Sequence, residues 1–156
     1  MEYEVNVPQF PTPDGQTSEA WFDVLKPYEK NFNEETILIG HSLGGAFVLR
    51  ILEKIPMKIK LAALVATPCG VMPVKFYETD KPFVWTGFDF GRIRDASEKF
   101  LVFHSDNDPF VCLGNAEKIA QGLGADVTLV KGAGHFNKAA GYTEFPNLLV
   151  DIRSSL

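Results

Sequence analysis

The chain has 156 residues, enough for one domain with a single filled core, and its 46% hydrophobic and 22% charged content is that of an ordinary globular protein. A net charge of −5 with no Lys/Arg cluster repels a phosphate backbone and argues against nucleic acid as a partner. The acidic start Met1-Glu2-Tyr3-Glu4, the lack of a membrane-length apolar run, and only two cysteines (Cys69, Cys112) without metal-ligand spacing speak against a signal peptide, a membrane span, a disulfide framework and a metal site, and point to the cytoplasm.

Taken in chain order, Tyr3 to Val7 (YEVNV) reads as a short strand ended by Pro8, and the Pro- and Gly-containing segment from Gln9 to Gln16 as a loop. Ser18 can cap a helix on which Trp21, Phe22, Leu25 and Tyr28 recur at helical spacing, with Pro27 as a point of ending or kinking. Thr36 to Ile39 (TILI) is a continuously apolar run, as expected of a strand buried on both faces. Leu43 to Ile55 reads as a helix, Leu61 to Ala66 as a strand, and Phe100 to His104 (FLVFH) as another. A helix over Ala116 to Leu123, a strand over Val127 to Val130 and a helix over Leu148 to Ser154 complete the pattern. No repeat or linker interrupts this alternation, which predicts one α/β domain with a mostly parallel sheet and helices on both faces.

One long interruption runs from Cys69 to about Glu98, with residues 70–98 rich in aromatics: Phe76, Tyr77, Phe83, Trp85, Phe88 and Phe90. A stretch of this length inside a compact domain is expected to form a lid or binding loop. It can equally be a folded insertion whose aromatics make a satellite core, and the two readings are compatible.

Gly40-His41-Ser42-Leu43-Gly44 fits G-x-S-x-G, the nucleophile elbow. A serine presented there sits on a sharp strand-to-helix turn, and glycine two residues to either side lets the backbones pass closely. Five residues with three fixed occur by chance, so the pattern gains its weight from TILI before it and an amphipathic helix after it. A serine hydroxyl needs a base within hydrogen-bond reach, and the base needs an orienting group. After such an elbow the partners follow in the order acid, then histidine.

Of the three histidines, His41 lies inside the elbow and is expected to point elsewhere, and His104 precedes the acidic loop. His135, in the glycine-rich Gly132-Ala133-Gly134-His135-Phe136, follows the last strand and is the base by elimination and by position. The acid falls in Ser105-Asp106-Asn107-Asp108-Pro109-Phe110-Val111, where Asp106 and Asp108 both qualify. Pro109 fixes the backbone after Asp108, which favours Asp108 as the acid and Asp106 as a turn-capping residue.

The segments IGHSLGG, SDNDPFV and GAGHF resemble the small α/β-hydrolases related to retinoblastoma-binding protein 9 and the bacterial YdeN-like serine hydrolases. The resemblance spans nearly the whole chain and implies an α/β-hydrolase fold that cleaves small esters or amides without a cofactor. It carries the nucleophile onto Ser42, the base onto His135, and the acid, the aspartate directly before Pro-Phe, onto Asp108. The retinoblastoma-binding L-x-C-x-E motif is absent, so that partner is not carried over.

The chain departs from the family at its start. Family members begin with an apolar strand and a glycine-rich loop that gives one oxyanion-hole amide, whereas this chain opens on what looks like the following strand, YEVNV. The Leu43 N–H is retained as the other donor. A strand is then expected to be missing beside TILI, to be supplied by upstream residues, another segment or a second copy, which leaves room for a homodimer.

The expected chemistry is acyl transfer to water through Ser42, His135 and Asp108, with no metal, no membrane and a small ester or amide as the binding partner. Phe110, Phe136 and Trp85 are candidate walls of an apolar substrate pocket, though core packing would explain each. The rival is a non-catalytic binding or scaffold protein that keeps the fold, and the missing oxyanion strand is its best support. A cysteine hydrolase would need cysteine in the elbow, where there is none.

Overall fold

The computed structural model describes residues 3–156. Helix α1 (Ser18–Glu29) leads to strand β1 (Ile37–His41), helix α2 (Leu43–Leu52) and strand β2 (Ile59–Val65). Helices α3 (Tyr77–Val84) and α4 (Phe90–Asp95) occupy the 70–98 segment. Strand β3 (Ser97–Ser105), helix α5 (Gly114–Leu123), strand β4 (Val127–Val130) and helix α6 (Pro146–Arg153) follow. Four parallel strands stand in the order β1-β2-β3-β4, so the α/β expectation holds.

Alternation along β2 explains the layering. Ala62 and Leu64 face one way and pack with Leu49 and Leu52 of α2, Ile93 of α4 and Ile119 of α5. Leu61 and Ala63 face the other way and meet Ile152 of α6. Both faces of β2 are closed, as a central strand of a parallel sheet requires. The carboxyl ends of β1, β3 and β4 therefore open onto one edge of the sheet, the usual place for a site in such folds.

Strand β1 differs from its expected burial. It is an edge strand, and Ile39 is 55% exposed. Ile39 pairs with Ala63 in the register, on the α6 face, but the cluster there takes in Ile37 of β1 and not Ile39. Nor do Tyr3 to Val7 form the predicted strand. Val5 and Val7 stand in solvent, and the outer edge of β1 has no strand partner among the described residues. Alternation alone cannot make a strand without a ladder to join.

Helix α1 is capped by Thr17, not Ser18: its hydroxyl accepts from the Ala20 N–H at 3.1 Å. The helix passes Pro27, which lies in its last turn, and ends at Glu29. Trp21 anchors it, with its ring centre 5.3 Å from that of Phe47 on α2 and 4.7 Å from that of Phe83 on α3. Its indole N–H donates to Pro11 O at 2.9 Å, which ties down the Pro-rich loop.

The 70–98 segment is a folded insertion on its inner side. Phe83 is fully buried, and Arg50 of α2 clamps the turn that follows it. The guanidinium donates to Phe83 O at 2.8 Å, Thr86 Oγ1 at 2.9 Å and Gly87 O at 2.6 Å, and pairs with Glu53 at 2.8 Å. It also lies 4.0 Å from the centre of the Phe88 ring. Glu53 in turn accepts from the Asp89 N–H at 2.7 Å. Trp85, by contrast, is 65% exposed at the end of α3.

Removing the guanidinium leaves two partly buried carbonyls and a carboxylate without their donor. Arg50→Ala is therefore expected to destabilise the protein by roughly 2–4 kcal/mol in urea unfolding. A loss below about 0.5 kcal/mol would reduce the clamp to a surface contact.

Candidate active site

Ser42 stands between the last residue of β1 and the first of α2, with φ 54° and ψ −126°. A non-glycine residue takes this conformation only where its surroundings enforce it. Here the Ser42 N–H donates to Val65 O at 2.8 Å, fixing the turn to β2, and Ser42 O accepts from the Gly45 N–H at 2.9 Å. The close approach falls on Gly40 and Gly45. A Cβ on Gly40 would stand 2.5 Å from Gly44 O and Gly45 Cα, and one on Gly45 would collide with the Thr67 side chain. Gly44 has nothing within 4 Å, so the second crowded position is one residue beyond the G-x-S-x-G pattern.

The side chains of Ser42, His135 and Asp108 meet. His135 Nε2 lies 2.9 Å from Ser42 Oγ, and His135 Nδ1 lies 2.8 Å from Asp108 Oδ2. Because a carboxylate accepts, Nδ1 carries the proton and Nε2 is left to accept from the serine hydroxyl. The other oxygen of Asp108 accepts from the Phe110 and Val111 N–H groups at 2.8 and 3.0 Å. Burial alone would push the Asp108 carboxyl up, but the bond from His135 and these two amides hold it below its ordinary value. It is a fixed anion. Such a chain can pass the hydroxyl proton to the imidazole and stabilise the resulting cation.

The loops carrying acid and base are bolted together. Gly132 N donates to Asp106 Oδ1 and Gly134 N to Asn107 Oδ1, both at 2.8 Å. Asp106 is thus a bridge between loops rather than only a turn cap. Below them Phe136, at φ 49°, packs with Phe145 and Tyr142 and roots the base loop in the core.

The remaining histidines hold the same parts. His41 does not point away: its Nε2 lies 2.6 Å from His135 O, and its ring centre is 4.8 Å from that of His135. His104, fully buried, places Nε2 3.0 Å from Val111 O. Loss of solvent lowers both below the ordinary imidazole value, and a carbonyl only accepts, so each is neutral with its proton on Nε2. One fixes the base loop and the other fixes the acid loop.

A cavity of about 310 Å³ opens at Ser42 and His135, lined also by Val74, Phe76, Asp80, Phe110, Val111 and Asn137. Of the three expected pocket aromatics only Phe110 lines it. Phe136 faces the core, and Trp85 is not among the lining residues. Phe76 stacks on Phe110 with ring centres 5.5 Å apart, and Lys75 N–H donates to Phe110 O at 2.8 Å, so the insertion forms a wall against the acid loop. Leu43 opens α2, so its N–H has no carbonyl one helical turn back to serve. Among the described residues, no cluster of His, Cys, Asp and Glu could hold a metal, and no helix is long and apolar enough to cross a membrane.

A model of the family described as Serine hydrolase matches residues 3–154. YdeN of Bacillus subtilis (strain 168) is 26% identical over 152 residues, which cover 97% of this chain and 80% of YdeN. The crystal structure of the ydeN gene product superposes with a TM-score of 0.87 over 94% of this chain and 79% of that one, at 26% identity. The meta-cleavage product hydrolase CumD from Pseudomonas fluorescens IP01 shares the fold alone. Its TM-score is 0.69 at 11% identity, covering 94% of this chain and 75% of that one. The fold is that of the α/β-hydrolases.

Two outcomes follow from this packing. Gly45→Ala is expected to lower stability by about 1–3 kcal/mol in denaturant unfolding, because its methyl must displace Thr67 beside a rigid turn; wild-type stability would refute the close approach. Asp108, whose folded value is lowered, contributes stability that is present above about pH 4 and lost as pH falls through that lowered value. The stability gap between wild type and Asp108→Asn should accordingly widen from pH 2 to pH 5 and then stay level. A gap independent of pH would contradict the anion's role.

Proposed function

The chain belongs to the Serine hydrolase family, and from that premise we propose that it hydrolyses small carboxylic esters or amides with Ser42 as nucleophile, His135 as general base and Asp108 as the group that orients the base. The observation that carries this reading is the unbroken relay from Ser42 Oγ through the imidazole to Asp108, with neither gap above 2.9 Å.

The steps follow from that relay. His135 Nε2 takes the Ser42 proton as Oγ bonds to the substrate carbonyl carbon. The carbonyl oxygen, now anionic, is held by the Leu43 N–H at the positive end of α2. Collapse breaks the bond to the leaving alcohol or amine, which departs with the proton from His135. A water then gives its proton to His135, its oxygen attacks the acyl carbon, and the acid is released as Ser42 regains its proton. Asp108 stays ionised throughout and keeps the proton of the resting imidazole on Nδ1. Phe110 and Phe76, stacked at the mouth, favour an apolar group beside the scissile bond.

Ser42→Ala is expected to cut the hydrolysis of 4-nitrophenyl butyrate by at least about 10⁴-fold, and Asp108→Asn by a comparable factor, with unfolding midpoints near wild type for Ser42→Ala. A fluorophosphonate should label the wild-type chain at Ser42 and leave Ser42→Ala unlabelled. Unlabelled wild type, or turnover surviving in Ser42→Ala, would overturn the assignment and favour a binding protein.

A further inference from the structure

Asp80 has no part in the relay, yet it lines the same cavity as Ser42 and His135. It is 8% exposed and sits on α3 beside Phe83 and Val84 of the apolar insertion. Its backbone N–H is used by Phe76 O at 3.0 Å, and among the described residues no cation stands within ion-pair distance of its carboxylate. The neighbouring Thr79 hydroxyl gives its proton to Phe76 O at 2.8 Å. A carboxylate in this position is a cost to the folded protein unless something pairs with it.

Burial pushes the Asp80 carboxyl up to about 6, against a smaller opposing pull from His135 across the cavity and from Thr79 on its own helix. Lys75, ahead of α3, directs its ammonium at the Phe76 and Phe110 rings, 5.5 and 5.0 Å from their centres. Asp108 is spent on His135 and two amides. The cavity therefore offers an incoming molecule one unpaired acidic group, in a pocket lined otherwise by Ser42, His135 and Asn137 and by the apolar Val74, Phe76, Phe110 and Val111.

We propose that Asp80 determines specificity: it pairs with a cationic nitrogen on the substrate, so that the preferred esters or amides carry a free ammonium group close to the scissile carbonyl. This rests on the hydrolase reading above. A neutral hydroxyl would hydrogen-bond to the carboxyl but would not neutralise a buried charge, whereas an ammonium does both. The apolar walls strengthen that attraction by excluding water. A cavity of about 310 Å³ suits an acyl group of few atoms, with the ammonium near the carbonyl rather than at the end of a long chain.

The test compares ester pairs that differ only in charge. The methyl esters of alanine, β-alanine and 4-aminobutyric acid are set against methyl isobutyrate, butyrate and pentanoate, in which a methyl replaces the ammonium. The kcat/KM of each is followed by acid release at pH 6.8. For the wild type, at least one ammonium ester is expected to exceed its alkyl counterpart by tenfold or more. In Asp80→Asn, and in Asp80→Ser as a second variant, that ratio should fall toward one.

Asp80→Asn should also unfold at a higher temperature than wild type at pH 8 and lose that advantage below pH 4, since the raised value means that ionising Asp80 costs the fold stability as pH rises. A wild-type ratio near one for all three pairs, or a ratio unchanged in both variants, overturns the specificity role. Turnover of the alkyl esters with fluorophosphonate labelling at Ser42 shows in the same run that the hydrolase reading stands; without them, that reading fails first.

Discussion

Everything at this site depends on one backbone conformation, the left-handed turn at Ser42. With φ at 54° the chain reverses from β1 into α2 within a single residue, which lifts the hydroxyl above the sheet edge. The strain is held by neighbours: a hydrogen bond from Ser42 N to Val65 O and two contacts so close that only glycine fits them. Thr67, just past the end of β2, is therefore as much part of the turn as Gly40. It is the residue that α2 leans on through Gly45.

The second constraint is that acid and base sit on separate loops, from β3 and β4, and must be kept in register with Ser42. Four groups do this without bonding to the relay's reacting side-chain atoms. Asp106 and Asn107 tie the two loops together, His104 holds Val111 O at the far end of the acid loop, and His41 holds the carbonyl of His135. All three histidines of the chain serve one cluster, one as a relay member and two as neutral donors. Because those two are desolvated, protonating either on its free Nδ1 would bury a charge while leaving the Nε2–H bond to the carbonyl in place.

Much of this was legible in the residues because local pattern and chemistry coincided. G-x-S-x-G between a strand and a helix, a Pro-fixed aspartate after a strand, and a histidine in a glycine loop each carry a local reason for their place. What was not legible depended on tertiary neighbours. TILI reads as fully buried because its residues are apolar, yet Ile39 is exposed, as only the strand order reveals. YEVNV alternates as a strand should but meets no ladder.

Gly45 lies outside the motif, and His41 reads as a residue turned aside. Trp85 and Phe136 looked like pocket walls because aromatic character does not say which way a ring faces. Asp80 gave no signal at all: in Tyr77-Glu78-Thr79-Asp80-Lys81 nothing sets it apart from the charged residues beside it.

The open edge of β1 bears on the chemistry in a limited way. The relay is built from loops after β3 and β4, and its supports come from the last residue of β1, from β2, from β3 and from the two loops themselves. Nothing on the outer side of β1 is needed to bring the imidazole to the hydroxyl. The proposed oxyanion donor is different: the Leu43 N–H belongs to the first residue of α2, directly after β1. In the proposed mechanism proton transfer and charge stabilisation are therefore separable: the first rests on the loops after β3 and β4, the second on the start of a helix. In that mechanism a rate limited by the second would still leave Ser42 activated, because its activation depends only on the relay.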